Sequence, residues 1–277
     1  MGFVRTQWLG LLGDEEKAAR GAYLKALMMQ LHREPFQPMR RRKPVGDVVV
    51  GWPARLESYF WPDLRTGYAE TFALWQEFAD AARPLSEVLE SGGSWSAEQQ
   101  QDALELAERI LAWGRVPQEF SSDPFVVEAV FRSALVGTPD PGALMNSGWT
   151  KVAAFATAYR EGHPVLYPQT IWDSRISTAV VSRLDALLAR DGITNPQRLF
   201  PGIGYVNGRG GTRPRVTQLR WPDVYGRWNP HYAGSALVQE LRNLLNASDL
   251  PGMPVPSGAT KPWTIMGVGN VLFMDGY

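Results

Sequence analysis

The sequence predicts a mainly α-helical chain, a single domain of two interleaved helical lobes spanning residues 1–277. Three observations lead there. Apolar residues recur at helical spacing through most long segments, and apolar–polar alternation of the strand type is nowhere sustained. No linker-like stretch or solenoid-type repeat divides the chain. A hydrophobic content of 44% is enough for a continuous core at this length.

The elements follow in order. Asp14–Leu31 reads as an amphipathic helix whose acidic first turn complements the helix dipole. Met39–Pro44 (MRRRKP) is a basic run closed by proline, either a solvated loop or a phosphate-contacting segment. Val45–Trp52 is a weak strand candidate. Asp63–Leu89 reads as helix, broken by Pro84. Ser91–Ser94 is a loop, and Ser96 with Gln99 forms a capping-box pattern for a helix over Ala97–Trp113. A further helix starts at Ser121–Asp123 and runs through Val136, where Gly137, Pro139 and Pro141 stop it. Helices are then expected to open at Lys151 and at Asp173, the latter running to Ala189. Asn195–Gly226, rich in Gly, Pro and Arg, reads mostly as loop, and Pro230–Asn246 as helix.

Composition narrows function. The chain carries 28 basic and 28 acidic side chains, so a purely electrostatic nucleic-acid or membrane binder is excluded, though a local basic face is not. There is no cysteine, and hence no disulfide framework or thiolate chemistry. His32, His163 and His231 lack metal-ligand spacing, so neither metal nor cofactor is expected. Met1–Gly10 lacks the features of a signal peptide, and no apolar run approaches the ~20 residues of a membrane span, which points to a cytoplasmic protein without a membrane partner. Eleven tryptophans exceed what such a core needs, leaving room for stacking surfaces. The aromatics Trp52, Tyr59, Phe60 and Trp61 are read as core. The glycines between Gly202 and Gly211 do not match a nucleotide-binding fingerprint, since no strand–turn–helix context surrounds them.

The central stretch Asn146–Leu184 places an amine, Lys151, and a carboxylate, Asp173, at the starts of neighbouring helices. Gly148-Trp149-Thr150-Lys151-Val152-Ala153, followed by Ile171-Trp172-Asp173-Ser174-Arg175, resembles the helix-hairpin-helix DNA glycosylase superfamily, in its 8-oxoguanine glycosylase branch. The tail Asn270–Tyr277 is similar to bacterial proteins of that fold, some associated with defence against phages carrying modified bases. The resemblance covers about forty residues plus the tail. Family hairpins read Leu-Pro-Gly-Val-Gly, whereas this chain has Leu144-Met145-Asn146-Ser147-Gly148-Trp149, in which Asn146 is a residue that tolerates left-handed backbone.

The resemblance implies two helical lobes with a DNA cleft between them, the hairpin and catalytic segment lying at about residues 125–190. It implies a DNA N-glycosylase, possessing or lacking strand cleavage, that acts as a monomer on double-stranded DNA with a flipped target base. Lys151 would be the nucleophile and Asp173 the carboxylate that stabilises positive charge on the sugar. Asn146, Ser147, Gly148, Trp149, Arg175, Arg209 and Arg213 would contact DNA, and Tyr167, Gln169 and Trp172 would surround the base. Arg215 and Arg220 extend the arginine-rich loop. Arg175 has a second reading, as partner to a surface acid. The base would be an oxidised purine, in a tight aromatic slot, or a hypermodified phage base such as glucosylated hydroxymethylcytosine, in a roomier one. The alternatives are a non-catalytic DNA-binding sensor or defence-complex subunit, and an unrelated helical scaffold.

Overall fold

The computed structural model describes residue 10 and residues 12–41, 43–116, 123–163, 166–207 and 217–277. Among them are nine α-helices: α1 Asp14–Arg33, α2 Trp52–Glu57, α3 Tyr68–Glu90, α4 Ala97–Trp113, α5 Pro124–Val136, α6 Trp149–Thr157, α7 Ser174–Arg190, α8 Trp228–Asn246 and α9 Ile265–Asp275. Strands among the described residues are limited to two antiparallel two-residue pairs, β1 Met39–Arg40 with β2 Lys43–Pro44 and β3 Met253–Pro254 with β4 Thr260–Lys261. The chain is mainly helical.

Local chemistry sets most helix ends. The predicted capping box of α4 forms: Ser96 Oγ accepts from Gln99 N at 3.2 Å and Gln99 Oε1 accepts from Ser96 N at 3.0 Å. Asp123 caps α5 by accepting from Phe125 N at 2.9 Å, Pro124 occupies the first turn, and Gly137 ends the helix in left-handed backbone at φ 76°. Ser121, the other predicted start residue, lies outside the described residues.

Three expectations change. α3 begins at Tyr68 rather than Asp63, because Trp61 N and Thr66 N close a turn first and Gly67 N donates to Glu70 Oε2 at 3.0 Å. It also runs through Pro84 without a break, since Ala82 and Leu85 keep its buried face continuous across the proline. Packing on both sides outweighs a local cost of about 3 kcal/mol. The strand at Val45–Trp52 does not form: Val49 makes one isolated bridge to Phe36, Val48 and Val50 are exposed, and Trp52 already opens α2.

The helices pack in two sets. α3, α4, α5 and α6 pack on one another; α1 packs on α7 and α8, and α9 on α2, α7 and α8. One buried apolar cluster runs through both sets. The second set takes its helices from both ends of the chain and encloses the first in sequence. The described residues of Asn195–Gly226 are mostly loop, with a 3₁₀ turn at Pro196–Arg198, and those after the undescribed 208–216 are tied to α7 by buried Asp185, which accepts from Gln218 N, Leu219 N and Trp221 Nε1. No described helix is long and apolar enough to cross a membrane.

Candidate active site

Lys151 and Asp173 meet where the two helix sets join. Lys151 sits in the first turn of α6, and Asp173 is the N-cap of α7. Its Oδ1 accepts from Arg175 N at 3.0 Å and Ile176 N at 3.1 Å, which fixes the carboxylate plane. The other oxygen, Oδ2, lies 3.7 Å from Lys151 Nζ, an ion-pair distance outside direct hydrogen-bond range. Lys151 Nζ donates to Ser147 O at 2.6 Å, one turn back. A tie between the elements fixes their relative position: Trp172 N donates to Thr150 Oγ1 at 3.1 Å.

Both groups are almost fully buried, Lys151 at 5% exposure and Asp173 at 4%. Burial pushes the Lys151 amine below the ordinary lysine value; Asp173 opposes this, and the nearby Arg175 charge adds to it. The net direction is toward the neutral amine. Two close approaches fix the lysine and the helix that carries it. A Cβ on Gly114 would stand 2.7 Å from Lys151 Cδ, and one on Gly148 would stand 2.4 Å from Leu111 Cδ2.

Arg175 is partly buried, and its guanidinium faces aromatic rings. Its guanidinium carbon lies 4.4 Å from the Trp61 ring centroid, 4.6 Å from Phe273 and 4.5 Å from Tyr277. Cation–π attraction holds it in an aromatic cage, and burial lowers its pKa. The C-terminal segment closes the cage: a Cβ on Gly276 would fall 1.9 Å from Arg175 O, so only glycine permits this approach. Phe273 and Tyr277, four residues apart, share a face with helical spacing, a pattern visible in sequence. Nothing in sequence links them to Trp61, which is buried as expected but faces this cation.

The chain matches no family model, no curated protein and no solved structure.

The remaining candidates divide. Asn146 is not left-handed; its Oδ1 accepts from Gly148 N at 2.8 Å and Trp149 N at 3.1 Å, so it caps the turn into α6. Ser147 supplies the carbonyl that orients the amine. The Trp149 indole is buried in the core at 1% exposure. Trp172 is equally buried, and a Cβ on Gly234 would stand 2.3 Å from its ring. Gln169 is buried with both amide ends engaged, Nε2 donating to Ala134 O at 2.6 Å and Oε1 meeting His231 Nε2. Burial holds the His231 pKa down to about 3. Tyr167 is half-buried. His163, read as a loop histidine, accepts from Leu166 N at 2.9 Å. Arg209, Arg213 and Arg215 lie outside the described residues, whereas Arg220 is exposed.

A cavity of about 150 Å³ opens farther along α6, lined by Ala154, Phe155 and Ala158, with Phe72 and Trp75 of α3, Gln169, Glu161 and Lys261. Ala154, Phe155 and Ala158 are three, four and seven residues beyond Lys151, so they continue its face of the helix. Gln169 is the base-pocket candidate that reaches this cavity. Among the described residues, no group of three or more His, Asp and Glu side chains is placed to hold a metal ion.

Chemically, the pair offers a largely desolvated amine with one N–H committed to Ser147 O and a carboxylate pinned through its other oxygen. In the neutral amine the lone pair is available to an electrophile. The carboxylate stands close enough to stabilise positive charge developing beside it.

Proposed function

We propose that the protein is a DNA N-glycosylase that excises a damaged or modified base, with Lys151 as nucleophile and Asp173 as the stabilising carboxylate. The observation that carries this reading is the buried Lys151–Asp173 pair, 3.7 Å apart at the joint between two helix sets, with the amine biased toward its neutral form. In the reaction, positive charge develops on the sugar and Asp173 stabilises it. The Lys151 lone pair attacks C1′, the N-glycosidic bond breaks, and its electron pair leaves with the base, which takes up a proton. The amine loses its protons as the sugar ring opens to a Schiff base. Strand cleavage would follow from that intermediate. The helix-hairpin-helix glycosylase fold, with DNA held between the two helix sets, belongs to the same proposal, as does action as a monomer in the cytoplasm.

Both substrate branches, an oxidised purine and a hypermodified phage base, belong to the proposal, since the aromatic-lined cavity along α6 is not lined by Lys151 or Asp173. The test incubates purified protein with unmodified DNA, oxidised DNA, and DNAs carrying hydroxymethylated or glucosylated cytosine, and identifies any released base by mass spectrometry. Release by the wild type, lost in Lys151→Gln and Asp173→Asn with folding intact, is the expected result. Retained release in both variants refutes the assignment of these residues. DNA binding without release from any substrate moves the reading to a non-catalytic sensor.

A further inference from the structure

The basic run Met39–Pro44 is not used by the site above. Its described residues, all but Arg42, pair as a hairpin. β1 and β2 pair Met39 with Pro44 and Arg40 with Lys43. Below them Val45 N donates to Pro38 O at 2.9 Å, and Phe36 and Val49 exchange two bonds of 2.8 Å. The Gln37 amide ties the two arms by donating to Val45 O at 3.1 Å and Gly46 O at 3.2 Å. Arg41 stands at the tip in left-handed backbone, φ 49°. This conformation is uncommon for an arginine, and the residue is exposed.

The hairpin carries uncompensated charge. Among the described residues, Arg40, Arg41 and Lys43 have no carboxylate partner, although most arginines elsewhere in the chain are paired. Between Phe36 and Trp52 the sequence holds one acid, Asp47, against this basic run. In a chain of zero net charge, that is a local positive ribbon. Beside it Val48 and Val50 are 58% and 55% exposed, and their spacing puts them on one side of an extended segment.

The root of the hairpin is continuous with the candidate active site. Phe36 lies under the Arg55 guanidinium at 4.6 Å, and Arg55 Nη1 donates to Asp275 Oδ1 at 3.0 Å. Asp275 precedes Gly276, which abuts Arg175 at the start of α7, beside Asp173. Phe36, Arg55, Asp275 and Gly276 are buried and Arg175 is partly buried, so packed contacts connect the hairpin root to the Lys151–Asp173 pair.

We propose that the 38–50 hairpin is a second DNA contact, in which Arg40, Arg41 and Lys43 bind backbone phosphates of a duplex and Val48 and Val50 pack on its sugar edges. The proposal rests on the reading above only in taking duplex DNA as the partner. The packed contacts that connect the hairpin to the site favour a duplex over an anionic lipid surface, which the same charge would also attract. Two valines give a membrane little apolar anchorage, whereas small apolar residues beside cations suit a groove wall.

The experiment measures affinity for a duplex by fluorescence anisotropy at salt concentrations from about 50 to about 200 mM. It compares the wild type, the triple variant Arg40→Ser/Arg41→Ser/Lys43→Ser, and a control triple variant Lys25→Ser/Arg65→Ser/Arg83→Ser. Each lost phosphate contact removes about 0.9 from the log–log salt slope, so the hairpin variant is expected to lose about 2 to 3 and the control almost nothing. Val48→Ser/Val50→Ser is expected to weaken binding with the slope unchanged. Circular dichroism checks that each variant is folded. An unchanged slope in the hairpin variant overturns the proposal. So does intact DNA binding accompanied by lost binding to phosphatidylserine vesicles, which would assign the ribbon to a membrane surface. Base release at saturating DNA is read separately: a hairpin variant that loses slope but releases base normally supports both readings. A lost slope in a protein that never releases a base supports this one alone.

Discussion

Gly114→Ala tests whether Lys151 is held as tightly as the packing implies. Gly114 has φ −66° and ψ −8°, right-handed backbone that alanine adopts freely, so the substitution carries no conformational penalty. By itself it would stabilise by about 0.4–1 kcal/mol through the unfolded chain. The new Cβ, however, would lie 2.7 Å from Lys151 Cδ and 2.9 Å from Cε, where ordinary contact begins near 3.4 Å. The side chain must move by roughly 0.7 Å while its amine is fixed to Ser147 O and its surroundings are closed. Overpacking of this kind costs about 1–3 kcal/mol. We expect Gly114→Ala to be destabilising in the wild type, and stabilising in a Lys151→Ala background, where the clashing carbons are gone. Urea unfolding of the four proteins gives the coupling directly, expected at about 1–3 kcal/mol. The same displacement should slow base release in single-turnover assays, by as much as about a hundredfold as it nears 1 Å. Equal effects of Gly114→Ala in both backgrounds would refute the reasoning, since the glycine would then be answering to something other than the lysine.

Asp173 has two separable roles: Asp173→Asn keeps the cap on α7 and is expected to melt near the wild type, whereas Asp173→Ala should lose about 1 kcal/mol, or about 2–4 °C in Tm. Arg175→Met removes a charge that lowers the Lys151 pKa, so the pH profile of borohydride-trapped Schiff base, or of lysine acylation at this site, should move to more alkaline pH; an unmoved profile would dissociate the caged arginine from the amine. Because the native Lys151 pKa is lowered from 10.5, the unfolded state binds more protons in the window between the native value and 10.5, and stability there rises with pH. Lys151→Met should therefore stabilise most at neutral pH, with the difference from wild type shrinking as pH approaches about 10, as followed by urea melts. Asp275→Asn leaves the buried Arg55 guanidinium facing an uncharged amide, while the partly buried Arg183 keeps Glu34, and a loss of about 3–5 kcal/mol in denaturant unfolding is expected.

Short-range signals were legible in the chain. Capping residues Ser96, Asp123 and Asp173 placed helix starts, Gly137 placed an end, and the apolar spacing of α1 and α7 marked them as helices. These depend on groups within a turn of one another, so the sequence carries them directly. Pro84 and the valine triplet misled because packing across the molecule decides them. The proline is tolerated inside a helix whose buried face is continuous, and the valines find one bridging partner instead of a sheet.

The sequence by itself determined that the chain is mainly helical, and that Lys151 and Asp173 stand at the starts of α6 and α7. Tertiary structure alone decided what those residues are. Their charges are 3.7 Å apart because Thr150 Oγ1 and Trp172 N join the two elements, and the amine is biased toward neutrality because burial penalises its charged form. The Arg175 cage needs Trp61 from before α3 and Phe273 and Tyr277 from the far end of the chain. A pKa and a cation–π cage depend on which groups lie within a few ångströms, whatever their separation in sequence. No periodicity or cap encodes that.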